Sequence, residues 1–185
     1  MDKILFNTHR LSKLVGNNLL LSKVDNQGIQ NRPTTYRLDE QIRQAIVSLE
    51  PRWMEKENDF DVDLESVEYT GDENLLMHVW CNLIENAIKY GPRQGLISIR
   101  LLQRSERVIF FIDDEGPGIP EGAERHVFDR FYQADPSRKS EGNGLGLALV
   151  KQIVTISGGT IAVENLPEKG CRFTVQLPVK SESQD

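Results

Sequence analysis

The chain of 185 residues is long enough for one full domain with an appendage, and 38% hydrophobic against 27% charged residues is the balance of a globular protein. Its longest strongly apolar run, Val108 to Ile112, is far too short for a membrane span, and its start does not read as a signal peptide. A net charge of −6 argues against nucleic acid as a partner, because a phosphate backbone is met by clustered Lys and Arg; a single bound nucleotide needs only a local positive patch.

Residues 1 to about 26 read as one long helix. Ile4, Leu11, Leu14, Val15, Leu21 and Val24 form an apolar stripe at near-heptad spacing. Such a stripe predicts a partner helix or a dimer; the alternative is a helix that folds back on its own domain. Residues 27–37 are polar, carry Gly and Pro, and are expected to be a linker. A helix starting near Asp39 carries Ile42, Ala45, Ile46 and Leu49, and Pro51 should end or kink it. Asp61 to Leu64 alternates like a short strand, with Gly71 closing a turn before the next helix.

Asp72 is a good N-cap for a helix from Glu73 to Tyr90 that buries Leu75, Leu76, Val79, Leu83, Ala87 and Ile88. Asn82, Glu85, Asn86 and Lys89 recur at spacings of three and four and share one side of it. Asparagine is a poor choice within a helix, so two of them one turn apart beside a lysine point to a ligand. A solvated polar edge is the alternative, and the helix alone does not decide between them.

Leu96 to Leu101 and Arg107 to Asp113 read as paired strands around a turn at Gln103 to Glu106. The second strand ends at Asp114, which is either a carboxylate aimed at a ligand or an ordinary turn aspartate before glycine. Glu121 to Tyr132 reads as a short helix anchored by Val127, Phe128 and Phe131. The polar stretch from Gln133 to Asn143 is expected to be mobile without ligand. A helix follows from Leu145 to Ser157, then strands at Thr160 to Glu164 and Arg172 to Leu177, and a disordered tail over 180–185. Cys81 and Cys171 sit in apolar patterns without metal-ligand spacing and read as reduced core residues. Mixed helices and strands without βαβ alternation give an α+β fold, a sheet covered by helices on one face.

Two glycine clusters frame the segment after Asp113: Asp114-Glu-Gly116-Pro-Gly118-Ile119 and Gly142-Asn-Gly144-Leu145-Gly146-Leu147. A glycine turn feeding a helix aims free N–H groups and the positive end of the helix dipole at an anion. The P-loop, the dinucleotide fingerprint and the protein-kinase motif set are all absent, so a less common nucleotide site remains.

These stretches carry a resemblance to sensor histidine kinases. Asn82-Leu-Ile-Glu-Asn86-Ala-Ile-Lys89-Tyr90 is similar to their asparagine box, and Asp114-x-Gly116-x-Gly118 to their first glycine box. Phe128-Asp-Arg-Phe131-Tyr resembles the phenylalanine box, and Gly142-x-Gly144-Leu-Gly146-Leu the second glycine box. The resemblance covers about residues 1 to 178. It implies the two-layer ATP-binding (Bergerat-type) fold shared with gyrase, Hsp90 and MutL: a mixed sheet backed by about three helices, here preceded by one long helix.

The resemblance also implies roles. Asn86 would hold Mg²⁺, Asp114 would accept from the adenine amine, and Gly116, Gly118 and Ile119 would let the base close. Gly142, Gly144, Leu145, Gly146 and Leu147 would meet the phosphates. Lys89 would add a charge to phosphate, Tyr90 would line the pocket, and Phe128 and Phe131 would fix the lid. Arg130, Arg138 and Lys139 are candidates to reach phosphate from the lid. Hydrolases of this fold place a glutamate where Asn82 stands, and an amide is no general base, whereas a neutral imidazole acceptor with pKa ~6.5 needs little help; transfer to histidine is favoured over hydrolysis.

The acceptor-histidine box of the family is absent, and His9, His78 and His126 lack its motif. Gln133 stands where many relatives have a basic residue. The resemblance thus implies residues 1–26 as the second helix of a dimerisation bundle, 27–37 as linker and 38–179 as the catalytic domain. Its expected ligands are ATP and Mg²⁺, and its expected partners are a histidine-containing bundle in cis or in trans and a response regulator. The parent is expected to be a homodimer with this part on the cytoplasmic side. Two other readings stand beside it: an ATP-binding interaction module without phosphotransfer, and a serine kinase of the anti-sigma type.

Overall fold

The computed structural model of the protein describes residues 15–24, 33–133 and 144–179. Helix α1 is seen over residues 15–24. Then follow β1 (Thr34–Arg37), α2 (Leu38–Ser48), α3 (Glu50–Glu55), β2 (Asp59–Leu64), β3 (Glu68–Gly71), α4 (Glu73–Tyr90), β4 (Leu96–Arg104), β5 (Arg107–Asp113), α5 (Gly146–Ile156), β6 (Thr160–Asn165) and β7 (Cys171–Pro178). The main sheet has five strands in the order β2-β4-β5-β7-β6, with β2 and β4 parallel and the other pairs antiparallel. The parallel pair needs a crossover, and α4 lies within it.

Strand alternation decides which face is covered. Ile97, Ile99 and Leu101 of β4, Val108, Phe110 and Ile112 of β5, and Phe173, Val175 and Leu177 of β7 are all buried and stand in register across the ladders. Residues between them, such as Ile109 and Phe111, are only half-buried. On that open face Phe111 is flanked by the guanidinium groups of Arg100 and Arg172, and Arg172 forks onto Asp113 at 2.7 and 2.6 Å. The covered face takes α4, which touches α2 on one side and α5 on the other. Trp80 of α4 meets Phe110 at a 4.7 Å ring separation, and its indole N–H donates to Gln41 Oε1 of α2 at 2.8 Å. Gln41 Nε2 in turn donates to the Glu73 carbonyl, so this buried amide is satisfied at both ends. The α+β, two-layer fold expected from the sequence is the one observed.

Several local expectations are corrected. Residues 34–37 are not linker: they form β1, which pairs with β3 from Thr34↔Gly71 to Arg37↔Glu68, so Gly71 ends a strand rather than only turning the chain. The break after α2 falls at Leu49, and Pro51 sits in the first turn of α3, where its missing N–H costs nothing. β4 runs on to Arg104, leaving Ser105 and Glu106 as the hairpin turn. Glu121 to Tyr132 is a chain of turns, not a helix. Its bonds run from Ala123 to Pro120, His126 to Ala123, Val127 to Ala123 and Asp129 to His126. Gly122 at φ 81 and Phe131 at φ 64 lie outside helical backbone and interrupt it.

Within α1, Leu21 joins the core cluster of the domain and Val24 is buried, whereas Val15 and Leu19 stay exposed. The helix therefore folds back on its own domain along one face and leaves the other bare. Most of the expected first helix (1–14), the residues 25–32 and the tail 180–185 lie outside the described residues. No helix among the described residues is long and apolar enough to cross a membrane.

Asp39, at the start of α2, is buried, takes both nitrogens of the Arg37 fork at 2.9 and 2.7 Å, and accepts the Val67 N–H at 3.2 Å. Arg37 holds its carboxyl below the usual aspartate range. A depressed folded pKa contributes stability that is complete above the unfolded value of ~3.9 and is lost as pH falls through the folded one. Urea unfolding followed from pH 7 down to 2 should therefore show a steeper acid decline for the parent chain than for Asp39→Asn. Equal slopes would mean the pair contributes nothing.

Candidate functional site

Helix α4 starts as its sequence dictates, with the Asp72 side chain accepting the Leu75 N–H at 3.0 Å. One face carries buried Leu83, Ile84, Ala87 and Ile88, and the half-buried edge beside it carries Asn82, Glu85, Asn86 and Lys89. These four polar residues have different partners. Asn82 Nδ2 donates to the His78 carbonyl of its own helix at 2.7 Å, and Gly146 at the start of α5 lies so close that a Cβ there would be 2.8 Å from Asn82 Oδ1. Glu85 is ion-paired to Arg52 of α3. Lys89 Nζ donates to the Tyr90 hydroxyl at 2.8 Å and lies 4.3 Å from that ring's centre. The Asn86 side chain makes no hydrogen bond with any described residue.

The C-terminal end of α4 is held by a residue the sequence did not signal. Lys56 Nζ donates to the carbonyls of Ile88, Lys89 and Gly91 at 2.7, 2.9 and 2.7 Å. A cation there meets the negative end of the helix dipole and otherwise unpaired carbonyls. It also fixes the turn that presents Lys89 and Tyr90.

β5 delivers Asp114 to a buried position, only 6% exposed. Its Oδ1 accepts the Gly116 N–H at 2.8 Å, and its Oδ2 accepts the Cys171 thiol at 3.2 Å. Burial pushes the carboxyl above its ordinary range, and the two donors work against that shift. The thiol is also pushed up by burial and by Asp114, so it stays protonated and acts as a donor. Gly116 backs onto the Tyr90 carbonyl, where a Cβ would come within 2.9 Å. The Asp114 loop therefore leans on the C-terminal end of α4.

Beyond it, Asn165 accepts the Ile119 N–H at 2.7 Å and donates back to the Ile119 carbonyl at 2.8 Å. This reciprocal pair pins Gly118 and Ile119. Gly170 completes the frame: a Cβ there would sit 1.7 Å from the Asp114 carbonyl oxygen, and its φ is +80°. Only glycine fits that crossing.

The N-terminal end of α5 closes the other side. Gly144 stands at φ +67° with its Cα against the backbone of Phe131 and Tyr132, and its carbonyl accepts the Phe131 N–H at 2.9 Å. Leu145 is the N-cap residue; no side chain among the described residues caps this end, and the first turn of α5 has no acidic residue. The first intrahelical bond runs from Leu149 N to Leu145 O, so Gly146, Leu147 and Ala148 present N–H groups at the helix end. Leu145 is buried and Leu147 half-buried, so these two anchor the turn by packing. Phe128 meets Phe173 edge-on at 6.3 Å and packs against the core, whereas Phe131 is 66% exposed. Arg130 is exposed. Arg138, Lys139 and Gly142 lie outside the described residues.

Three stations thus border one edge of α4: the Asp114 carboxylate near Tyr90, the Asn86 amide, which has no partner among the described residues, and the N-terminus of α5 at Asn82. At 1.5 Å per residue, Asn82 and Tyr90 are ~12 Å apart along the helix, comparable to a nucleotide laid from base to phosphate. The arrangement suits a ligand with a hydrogen-bond donor at one end and negative charge at the other. Lys56, Asn165 and Gly170 went unnoticed in the sequence, and Cys171 was read only as core. None belongs to a motif, because each acts on the site through a long-range contact.

Residues 71–181 match the family model described as Histidine kinase-, DNA gyrase B-, and HSP90-like ATPase. Heme sensor protein HssS of Staphylococcus saprophyticus is 34% identical over 168 residues, covering 91% of this chain and 36% of HssS. The chain therefore spans little more than a third of that relative. Among solved structures, Acinetobacter baumannii histidine kinase AdeS is similar with a TM-score of 0.83 at 28% identity, over 97% of this chain and 84% of that one. The histidine kinase ThkA, in complex with response regulator protein TrrA, is similar with a TM-score of 0.75 at 25% identity, over 96% of this chain and 50% of that one. The matched segment contains α4, the Asp114 loop and α5, and the chain belongs to the family of histidine kinase-, DNA gyrase B- and HSP90-like ATPase domains, which bind ATP.

Proposed function

We propose that this chain is the catalytic part of a two-component sensor histidine kinase. It binds Mg·ATP and transfers the γ-phosphoryl group to a histidine on a helical bundle, from which the group passes to an aspartate of a response regulator. The observation that carries the reading is the edge of α4, with a buried acceptor at one end, the N-terminus of α5 at the other and, between them, an Asn86 amide without a side-chain hydrogen bond among the described residues.

The ionised Asp114 accepts a hydrogen bond from the adenine amine, with Gly116, Gly118 and Ile119 shaping the wall beside it. Tyr90 lines the pocket, and Lys89 exchanges its bond to the Tyr90 hydroxyl for phosphate. The N–H groups at the start of α5, framed by Gly144 and Gly146, receive phosphate oxygens. The Asn86 amide oxygen is the protein's ligand to Mg²⁺. It fits that role because it is a hard oxygen donor with no hydrogen-bond partner among the described residues. When bound, Mg²⁺ supplies positive charge to the triphosphate oxygens.

Transfer to histidine is favoured over hydrolysis by what surrounds Asn86. Asn82 is an amide tied to the His78 carbonyl, and the Glu85 carboxylate is held by Arg52, so neither is free to activate water. The acceptor lies on a bundle. Residues up to about 26 form its second helix, the exposed Val15 and Leu19 support a helical partner from a second copy, and the catalytic domain runs from β1 to β7. A response regulator as the next partner is supported by the ThkA–TrrA complex, and a cytoplasmic site follows from the same reading.

Incubating the chain with γ-labelled Mg·ATP and the parent's histidine-containing bundle should place acid-labile, base-stable label on the bundle. ATP binding without any label would sink the kinase reading. Asn86→Ala should weaken ATP at least about tenfold with Mg²⁺ present and change little in EDTA, as read by calorimetry; equal loss in both conditions would remove the metal role. Asp114→Ala loses a bond to a charged group, worth about 1.5–3 kcal/mol, and should erase most of the preference for ATP over GTP. An unchanged preference would count against adenine recognition there.

A further inference from the structure

We propose that Lys56 is a positioning residue for nucleotide binding: by clamping the carbonyls at the C-terminal end of α4 it sets the place from which Lys89 reaches phosphate. The inference rests on the reading of Lys89 as a phosphate contact and adds a residue that touches no ligand itself.

Helix α4 does not close with a left-handed glycine. Gly91, its C-cap, has φ −62° and ψ 157°, which is extended backbone, and its N–H donates to the Ala87 carbonyl. This leaves the carbonyls of Ile88, Lys89 and Gly91 without the bonds that a left-handed closure supplies, and a helix end of that kind frays. The Lys56 ammonium has three N–H donors and places one on each of those carbonyls. The ammonium is itself held in place. The Lys56 N–H donates to the Arg52 carbonyl at 3.3 Å, and its carbonyl accepts the Gln94 N–H at 2.9 Å. Two residues on, buried Asn58 donates to the carbonyls of Pro92 and Gly95 at 2.9 and 3.1 Å. Residues 56 to 58 thus grip the chain on both sides of Gly91, and one turn earlier in α3 Arg52 is ion-paired to Glu85.

Lys89 is the functional residue inside this grip. Its carbonyl is one of the three that Lys56 holds, whereas its ammonium meets only the hydroxyl and ring of Tyr90 among the described residues. The backbone end of the side chain is fixed, and the charged end is free to exchange a neutral partner for a charged one. A flexible four-carbon stem delivers its charge to one place only from a fixed root, and a point charge loses its attraction as the separation grows. With the last turn of α4 frayed, Lys89 would spread over many positions and its ammonium would stay in solvent.

Calorimetry on the whole chain measures ATP dissociation constants with Mg²⁺ present for the parent, Lys56→Met, Lys89→Met and the double variant, with thermal unfolding in the absence of nucleotide as the check on folding. Methionine keeps most of the stem and removes the donors. Lys56→Met and Lys89→Met should each bind ATP about tenfold more weakly, and the double variant should be no weaker than Lys89→Met. A residue that acts through Lys89 has nothing to position once that ammonium is gone. Should Lys56→Met lose its cooperative transition, Lys56→Gln, which retains an amide donor, takes its place in the same cycle. A Lys56 variant with parent-like affinity overturns the proposal. So does a double variant whose loss is the product of the two single losses, which would assign Lys56 to the fold at large. A parent chain that does not bind ATP, or a Lys89→Met variant with parent-like affinity, overturns the reading on which the proposal rests, so the two failures are told apart.

Discussion

Helix α4 lies between α2 and α5 and against the central strand of the sheet, and burying its Trp80, Leu83, Ile84 and Ile88 is what covers that sheet. A helix turns 100° per residue, so a face committed to the core leaves Asn82, Asn86 and Lys89 along its border, neither submerged nor fully solvated. Everything that makes the site then comes to this border. α5 docks its N-terminus at Asn82, and the Asp114 loop rests on the Tyr90 carbonyl. Displacing α4 would separate all three stations at once.

The electrostatics of the two helix ends are opposite in purpose. At the C-terminal end of α4 three carbonyls are satisfied by Lys56, so that end is closed to a ligand. At the N-terminal end of α5 no described residue supplies a capping side chain and the first turn has no carboxylate, although a good cap is worth about 1 kcal/mol. A helix N-terminus of this kind is compatible with an anion. Between these ends burial pushes the Asp114 carboxyl above its ordinary range, and the two donors that face it oppose that shift. The pocket is thus polarised along α4, which is the asymmetry a nucleotide has.

Much of this was legible in the sequence. The spacing of Leu75, Leu76, Val79, Leu83, Ala87 and Ile88, with Asp72 before them, placed α4 from Glu73 to Tyr90, where it is found. Alternation placed β5 from Arg107 to Asp113 in the same way. Both signals are local, because a helix face and a strand face are set by residues a few positions apart. The short helix expected over Glu121 to Tyr132 failed because its few apolar anchors say nothing of the positive φ angles at Gly122 and Phe131. The end of the expected linker failed because β1 exists only by pairing with β3, more than thirty residues away.

By itself the sequence determined the class of fold, the order of its elements, the polar edge of α4 and the two glycine clusters that follow Asp113, since periodicity and backbone freedom are properties of neighbouring residues. Only the tertiary structure decided that α1 turns Leu21 into the domain, that Lys56 closes the end of α4, that Asn165 pins Ile119 and that Cys171 faces Asp114. Those contacts join segments far apart in the chain, and a hydrogen bond between distant residues leaves no period in the sequence that carries it.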